Sequence, residues 1–428
     1  MTIDPRGFLR PLCSLGIAVL TFASLSASLS AQTEHVLYSF TSDPIGIGPI
    51  AGVVMGETGA LYGTTAFGGP SGAGTAFKLA PPAERGSPWA ETAIYNFTGV
   101  GLNNGSFPAD QGALVLDKAG NLYGTTVDDG SNGAGTVFEL TPPVSGAIWT
   151  ETTLYNFGLG SDAQHPYAGV TMAGGALYGT TAAGGTYGAG AVFKLTPSKA
   201  GGAWKETVLY SFTGGDDGSL PYASPSVHDG VLYGTAMLGG ALNNGVIYQL
   251  SPPTGGSSTW TEAVLHTFPA NFTNDGANPF AGLIFDKQGA LYGTTPRTYG
   301  ALSYGMVFKL TPPDWEETIL YSFTGGNDGE YPTGTLTFDS SGALYGTTAG
   351  YAYEDLSTGN QGSIFKLTPP TVVGDPWTET TLHTFTGGSD GGTPLDGLLL
   401  SGGVLYGTTY EGGPDPTCNC GVVFEVKP

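Results

Sequence analysis

A chain of 428 residues with 72 Gly, 30 Pro and 11% charged residues is unlike a long-helical or coiled-coil protein, and 40% apolar content with 22 Tyr and 21 Phe is too rich for a disordered one. The net charge of −22, from 35 acidic and 13 basic residues, repels a phosphate backbone or an anionic lipid surface, and no local basic patch offsets it. Nucleic acid is thereby excluded as a partner, whereas a glycan or a protein is not.

The N-terminus reads MTIDPRGFLRPLCSLGIAVLTFASLSASLSAQ: Arg6 and Arg10 precede an apolar run from Leu15 to Leu25, and small residues follow to Ala31. This layout predicts a secretory signal over residues 1–31 and a mature chain from residue 32, secreted, periplasmic or at the cell surface. The apolar run is shorter than the ~20 residues a span needs, and no second one follows, so no membrane span is expected in the mature chain.

The first strand-like run is EHVLYSF, Glu34 to Phe40. Further along, the same pattern closes a longer unit, as in ETTLYNF (Glu151 to Phe157) and ETVLYSF (Glu206 to Phe212). The core of that unit is LYGTT, beginning at Leu61, Leu122, Leu177, Leu291, Leu344 and Leu405, with LYGTA at Leu232. Seven copies spaced 53 to 61 residues apart suit four-stranded propeller blades.

Four strands are expected per unit. A Pro-led run such as PIAGVVM or PLDGLLL comes first, and Pro is tolerated there because its missing N–H need not join a ladder. Turns such as DKAGN (Asp117 to Asn121) lead into LYGTT, with Asp and Gly in turn positions. The third strand is of the TAFKL type and the fourth of the ETxLYSF type. Only six units continue into a fourth strand; after VVFEV the chain stops at Pro428. Glu34 to Phe40 supplies the missing one, so the expected fold is an all-β, seven-bladed β-propeller, residues 32–428, closed by its N-terminal strand in the last blade. That strand would cover an edge otherwise open to pairing. Simple alternation places Leu37 on one face and Tyr38 with Phe40 on the other.

The unit P-x-A-G-L-x-x-D-x-x-G-x-L-Y-G-T-T … G-x-V-F-K-L-T-P-P … W-x-E-T-x-L-Y-S-F-T-G-G-x-D-G resembles the Gloeo/Verruco tandem repeat of exported bacterial proteins described as choice-of-anchor repeat proteins. The resemblance covers about residues 34–428. It implies a repeat-built exported protein and supplies no activity. Members often bear a C-terminal anchor; none is visible here.

Two loop sets are expected on one face of the ring. Between the fourth strand and the next first strand, an acidic glycine turn recurs with Asp43, Asp162, Asp217, Asp275, Asp328 and Asp390, replaced once by LNNG at Asn103 to Gly105. Asp before Gly is ordinary turn chemistry; a ring of such carboxylates at the channel mouth would alternatively hold Ca²⁺ or another cation through 6 to 8 oxygens. The later loops between second and third strands gather Tyr299, Tyr304, Tyr351, Tyr353 and Tyr410, rings that either pack over their own loops or bind a glycan or partner protein. Cys418 and Cys420 form a strained disulfide, stay free, or ligate metal with help from elsewhere. The Lys of FKL (Lys78, Lys194, Lys309, Lys366) is placed to pair with Glu of the adjacent fourth strand.

No catalytic constellation stands out. Only His165 shares the loop face with an acidic residue, and a His–Asp pair without a nucleophile is thin. The expectation is a monomeric, non-catalytic binding module for a glycan or protein, with no cofactor beyond the candidate Ca²⁺. A glycan-active or metal-assisted hydrolytic enzyme is the alternative, and a structural envelope protein the third.

Overall fold

The computed structural model describes residues 34–428 apart from 42–45, 85–86, 100–103, 109–110, 145–148, 199–203, 269–275, 299–303, 351–359, 373 and 416. The expected signal segment lies outside the described residues. Seven antiparallel sheets form a seven-bladed β-propeller. Blade 3 is typical, with strands Thr171–Ala173, Ala176–Thr181, Ala191–Thr196 and Lys205–Ser211 running from the axis outward. Blade 7 comprises Leu399–Ser401, Val404–Thr409, Val422–Val426 and, outermost, the N-terminal Glu34–Ser39. Among the described residues no helix is long and apolar enough to cross a membrane.

Every letter of LYGTT has a physical reason. The Leu is buried in all seven blades. The Gly lies beneath the ring of the third-strand aromatic residue: a Cβ on Gly179 would sit 2.4 Å from Phe193 Cζ, closer than real contacts allow. The first Thr joins blades, since Thr125 Oγ1 donates to the Ala168 carbonyl (2.7 Å), Thr180 to Ala223 (2.9 Å) and Thr408 to Ala51 (3.0 Å). That last bond crosses the closure from blade 7 to blade 1. The second Thr holds the loop beyond it, as Thr65 Oγ1 donates to the Phe67 carbonyl (3.0 Å) and accepts the N–H of Thr75 (3.1 Å). In the turn before LYGTT, Asp117 Oδ1 accepts the N–H groups of Ala119 (2.8 Å) and Asn121 (2.9 Å).

The closing strand differs from simple alternation. Its register on Val422–Val426 runs Glu34↔Val426, His35↔Glu425 and Val36↔Phe424, then skips Leu37 before Tyr38↔Val423. This bulge puts Leu37 on the same side as Tyr38 and Phe40, against Val53, Leu61 and Phe77 of blade 1, while Val36 faces Leu405 and Phe424. An extra residue in a strand resets the inward–outward pattern beyond it, and the six internal fourth strands carry the same bulge. The FKL lysines are also placed differently. Lys78 lies opposite Thr92, one residue from Glu91 and hence on the other face of the sheet; Lys78, Lys194, Lys309 and Lys366 instead lie over the Tyr rings of their own second strands, at 5.2 to 5.9 Å.

Candidate functional site

Near the axis the Pro-led runs meet main chain to main chain, which is why small residues recur there. Gly169 N–H donates to the Gln111 carbonyl (2.7 Å) and Gln111 N–H to the Tyr167 carbonyl (3.0 Å), linking blades 2 and 3. Asp396 of blade 7 crosses this region. Its Oδ2 accepts the N–H of Gly52 in blade 1 (2.7 Å) and of Gly112 in blade 2 (3.0 Å), and its Oδ1 that of Gly397 (2.7 Å). Burial raises its carboxyl above the ordinary value, with the three N–H groups pulling the other way. Three blades thus converge on one carboxylate.

Above this floor the loops form ordered rims. In blade 3, Ala163–Gln164 pairs with Ala183–Gly184; in blade 5, Gly276–Ala277 pairs with Arg297–Thr298. From each rim the chain turns through a Pro toward the axis, and the residue after that Pro faces the mouth. In blades 3, 4 and 5 it is aromatic. Tyr167 lies 5.0 Å from Tyr222, and Tyr222 5.2 Å from Phe280, so three half-buried rings from successive blades form a continuous arc. Opposite, Ile50 and Leu395 occupy the same position and pack with Tyr331 and Tyr410. The Oγ1 atoms of Thr333 and Thr393 are buried there without a hydrogen-bond partner.

The anticipated residues have varied surroundings. Asp162, Asp217, Asp328 and Asp390 staple their own turns. Asp328 shows the pattern: Oδ2 accepts from Tyr321 Oη (3.0 Å) and Thr324 N–H (2.8 Å), and Oδ1 from Thr324 Oγ1 (2.7 Å). The Tyr155 and Tyr210 hydroxyls donate likewise to Asp162 (3.0 Å) and Asp217 (2.8 Å); in blade 7's seam His383 Nε2 lies 3.3 Å from Asp390. In the LNNG blade, Asn104 takes the role by donating to Tyr95 Oη (2.6 Å). After Asn104, Asp328 and Asp390 the following Gly lies on the second Thr of the next LYGTT, where a Cβ on Gly329 would sit 2.3 Å from Thr348 Oγ1; Asp162 is followed instead by the buried Ala163. Asp43 and Asp275 lie outside the described residues.

Each such turn also faces a fourth-strand Glu of the next blade. Burial, aided by Asp162 and Asp217, pushes Glu206 and Glu262 up to about 7; burial with Asp390 does the same to Glu34, and burial alone to Glu91. Among the described residues, no three His, Cys, Asp or Glu side chains gather as a metal-binding group.

Tyr410 lies at the mouth over Gly48, where its ring fills the space a Cβ would occupy. Tyr304 covers Gly325 in a neighbouring turn. Tyr299, Tyr351 and Tyr353 lie outside the described residues. Cys418 and Cys420 are paired as a disulfide, with Cys420 buried beside Phe40. His165 meets its acidic neighbour: Nδ1 is 3.0 Å from Asp128 Oδ1 and 3.1 Å from the Val127 carbonyl. The aromatic arc and Asp396 were not singled out from the sequence. Their signals are present, in PYAG, PYAS and PFAG for the arc and in PLDG, where Asp stands at a position usually held by Ala.

The Gloeobacter/Verrucomicrobia repeat family model matches residues 24–225, 109–359 and 202–424, three overlapping regions that together take in nearly the whole chain. The chain belongs to this family. No curated protein matches the sequence. Among solved structures, this Gloeobacter/Verrucomicrobia repeat protein is similar to an ancestral GH74 enzyme at a TM-score of 0.58 and 10% identity; the match covers 91% of this chain and 48% of that one, so the chain spans about half that enzyme's length. It is also similar to a gluconolactonase from Xanthomonas campestris (TM-score 0.40, 14% identity, 95% and 93% covered) and to a protein of unknown function from Dyadobacter fermentans (TM-score 0.44, 13% identity, 92% and 98% covered). At these identities the likeness is one of fold.

Proposed function

We propose that this repeat propeller is an exported, non-catalytic binding module that takes a neutral glycan at the loop-face mouth of its central channel. The aromatic arc Tyr167–Tyr222–Phe280 carries the reading. Half-buried rings in a row, Tyr167 and Tyr222 edge to face at 66° and Tyr222 tilted 37° from Phe280, give the apolar faces of successive sugar rings aromatic faces and edges to pack on, and phenol hydroxyls and rim polar groups meet their hydroxyls. The ordered rims support it further, because a surface already held in place loses little entropy on binding. A net charge of −22 disfavours anionic polysaccharides.

Calorimetry of the mature chain against neutral β-glucan, mannan and chitin oligosaccharides tests the reading. Binding to at least one, weakened about tenfold or more by Tyr222→Ala, is expected. Silence across all three, or binding indifferent to Tyr222, overturns it. A second reading, a glycan-active enzyme, draws on His165: a Nδ1–H donated to Asp128 would fix the tautomer that leaves Nε2 as a proton acceptor beside Tyr167. Turnover of a bound oligosaccharide, abolished by His165→Gln, would favour it over simple binding.

A further inference from the structure

The residue before each corner proline is left-handed in all seven blades: Gly48 (φ 65°), Phe107 (52°), His165 (57°), Leu220 (54°), Asn278 (56°), Tyr331 (58°) and Thr393 (56°). This conformation is disfavoured for any residue with a Cβ, and most of all for a β-branched one such as Thr393. The corner imposes it. The chain leaves the rim and turns toward the axis, and the main-chain bonds that hold the turn repeat irrespective of side chain. His165 N–H donates to Ala134, Leu220 to Ala189 and Thr393 to Gln361, while the carbonyls of the same three residues accept from Ala182, Met237 and Tyr410.

Glycine would satisfy every one of these corners with no strain, and the chain uses glycine freely at positive φ elsewhere. Among the described residues only eleven others adopt positive φ; six are corners, and of the remaining five, four are Asp or Asn, the types that tolerate it best. Large or branched side chains are therefore accepted in this conformation almost solely at the corners. Their identities differ in all seven blades. A position that keeps a side chain against strain, yet never the same one, serves something other than the common frame.

Four of these side chains meet the loops that follow the second strands or the apolar cluster at the mouth. The Phe107 ring meets Phe67 (5.4 Å), His165 meets Asp128, Asn278 Nδ2 donates to the Met237 carbonyl (3.1 Å), and Tyr331 packs with Ile50 and Leu395. At Gly48, Tyr410 fills the missing side chain's place. Thr393 is 2% exposed, and its hydroxyl has no hydrogen-bond partner.

We propose that the half-buried corner side chains Phe107, His165, Leu220, Asn278 and Tyr331 are the specificity-determining set of the mouth, selecting which neutral oligosaccharide lies on the aromatic arc. This rests on the glycan reading above. The test uses the mature chain, with Leu220→Gly, Asn278→Gly and the two combined, and Leu220→Asn as a variant that keeps a side chain on the same left-handed backbone but makes it polar. Thermal melts are run beside calorimetric titrations with cellohexaose, mannohexaose and chitohexaose. The expected result is melting equal to or above the parent, together with at least tenfold weaker binding or a changed preference among the three sugars. Glycine variants that melt well below the parent would show that the side chains serve folding, and overturn the proposal. So would a parent that binds a sugar while its variants keep the same affinity and preference, which leaves the glycan reading standing. A parent that binds none of the three overturns that reading and this assignment with it.

Discussion

Two sets of seven positions lie within a few residues of each other along the blade seams and behave in opposite ways. The first Thr of LYGTT is the same residue in every blade, and Thr125, Thr180, Thr235, Thr347 and Thr408 bond across the seam to the next Pro-led run, as Thr180 does to Ala223 (2.9 Å). The corner three residues before Ala223 is Leu220 in that blade and something else in each of the others, although its backbone conformation is constant. One set builds the frame and the other varies upon it. A repeated structure tolerates variation where the repeat is not using the side chain to hold itself together.

Substitutions in the frame should have the largest effects. Deleting residues 32–40 removes the strand that covers Val422–Val426 and the burial of Phe40 (1% exposed). A large loss of thermal stability and concentration-dependent association through the freed edge are expected, read by melting and light scattering; an unchanged melt with a clean monomer would break the closed-ring account. Asp396→Ala comes next, because it strands three N–H groups donated from three blades. At about 1–3 kcal/mol for a buried polar group left unpaired, several kcal/mol should be lost in denaturant titration, with Asp396→Asn less affected.

Thr180→Val keeps the shape but leaves the Ala223 carbonyl without its donor, for a loss of about 1–3 kcal/mol. A smaller, pH-dependent effect arises at the seams. Glu34, Glu91, Glu206 and Glu262 ionise near pH 7 in the ring, against an ordinary value of 4.5. Protonation is favoured in the folded state, so their contribution is complete below about pH 4.5 and is lost as pH rises through about 7. In the opposite sense, Asp286 and Asp339 are partly buried, yet accept enough N–H and hydroxyl bonds to be held below the usual range. Their contribution is present at neutral pH and lost on strong acidification. Melts at pH 5 and pH 8 should show the ring more stable at pH 5, and Glu206→Gln with Glu262→Gln should narrow that gap; a gap of unchanged size would locate the pH dependence elsewhere.

Much of the frame is legible in the sequence, because repetition turns a weak strand pattern into a count. Seven LYGTT motifs and a displaced EHVLYSF lead to seven closed blades. Period-2 reasoning fails within the fourth strand, where the bulge at Leu37 shifts the facing of everything after it; pattern alone does not reveal an extra residue when both neighbours are apolar. The Asp turns are recognisable as turns, and what the sequence does not convey is that Tyr321 and the next blade's Glu379 share the seam with Asp328. The mouth is the least legible part. Tyr167, Tyr222 and Phe280 are more than fifty residues apart, and only the rotation from blade to blade brings them into a row. The corners are hidden because φ depends on the path of the chain from rim to axis; nothing in LPYAS or NPFAG announces a left-handed residue.

The division between constant frame and variable mouth is tested most directly by thermal melting of Thr180→Val and Leu220→Gly side by side, since both act on the seam between blades 3 and 4. The account predicts that Thr180→Val melts below the parent while Leu220→Gly melts at or above it. The reverse order would contradict it.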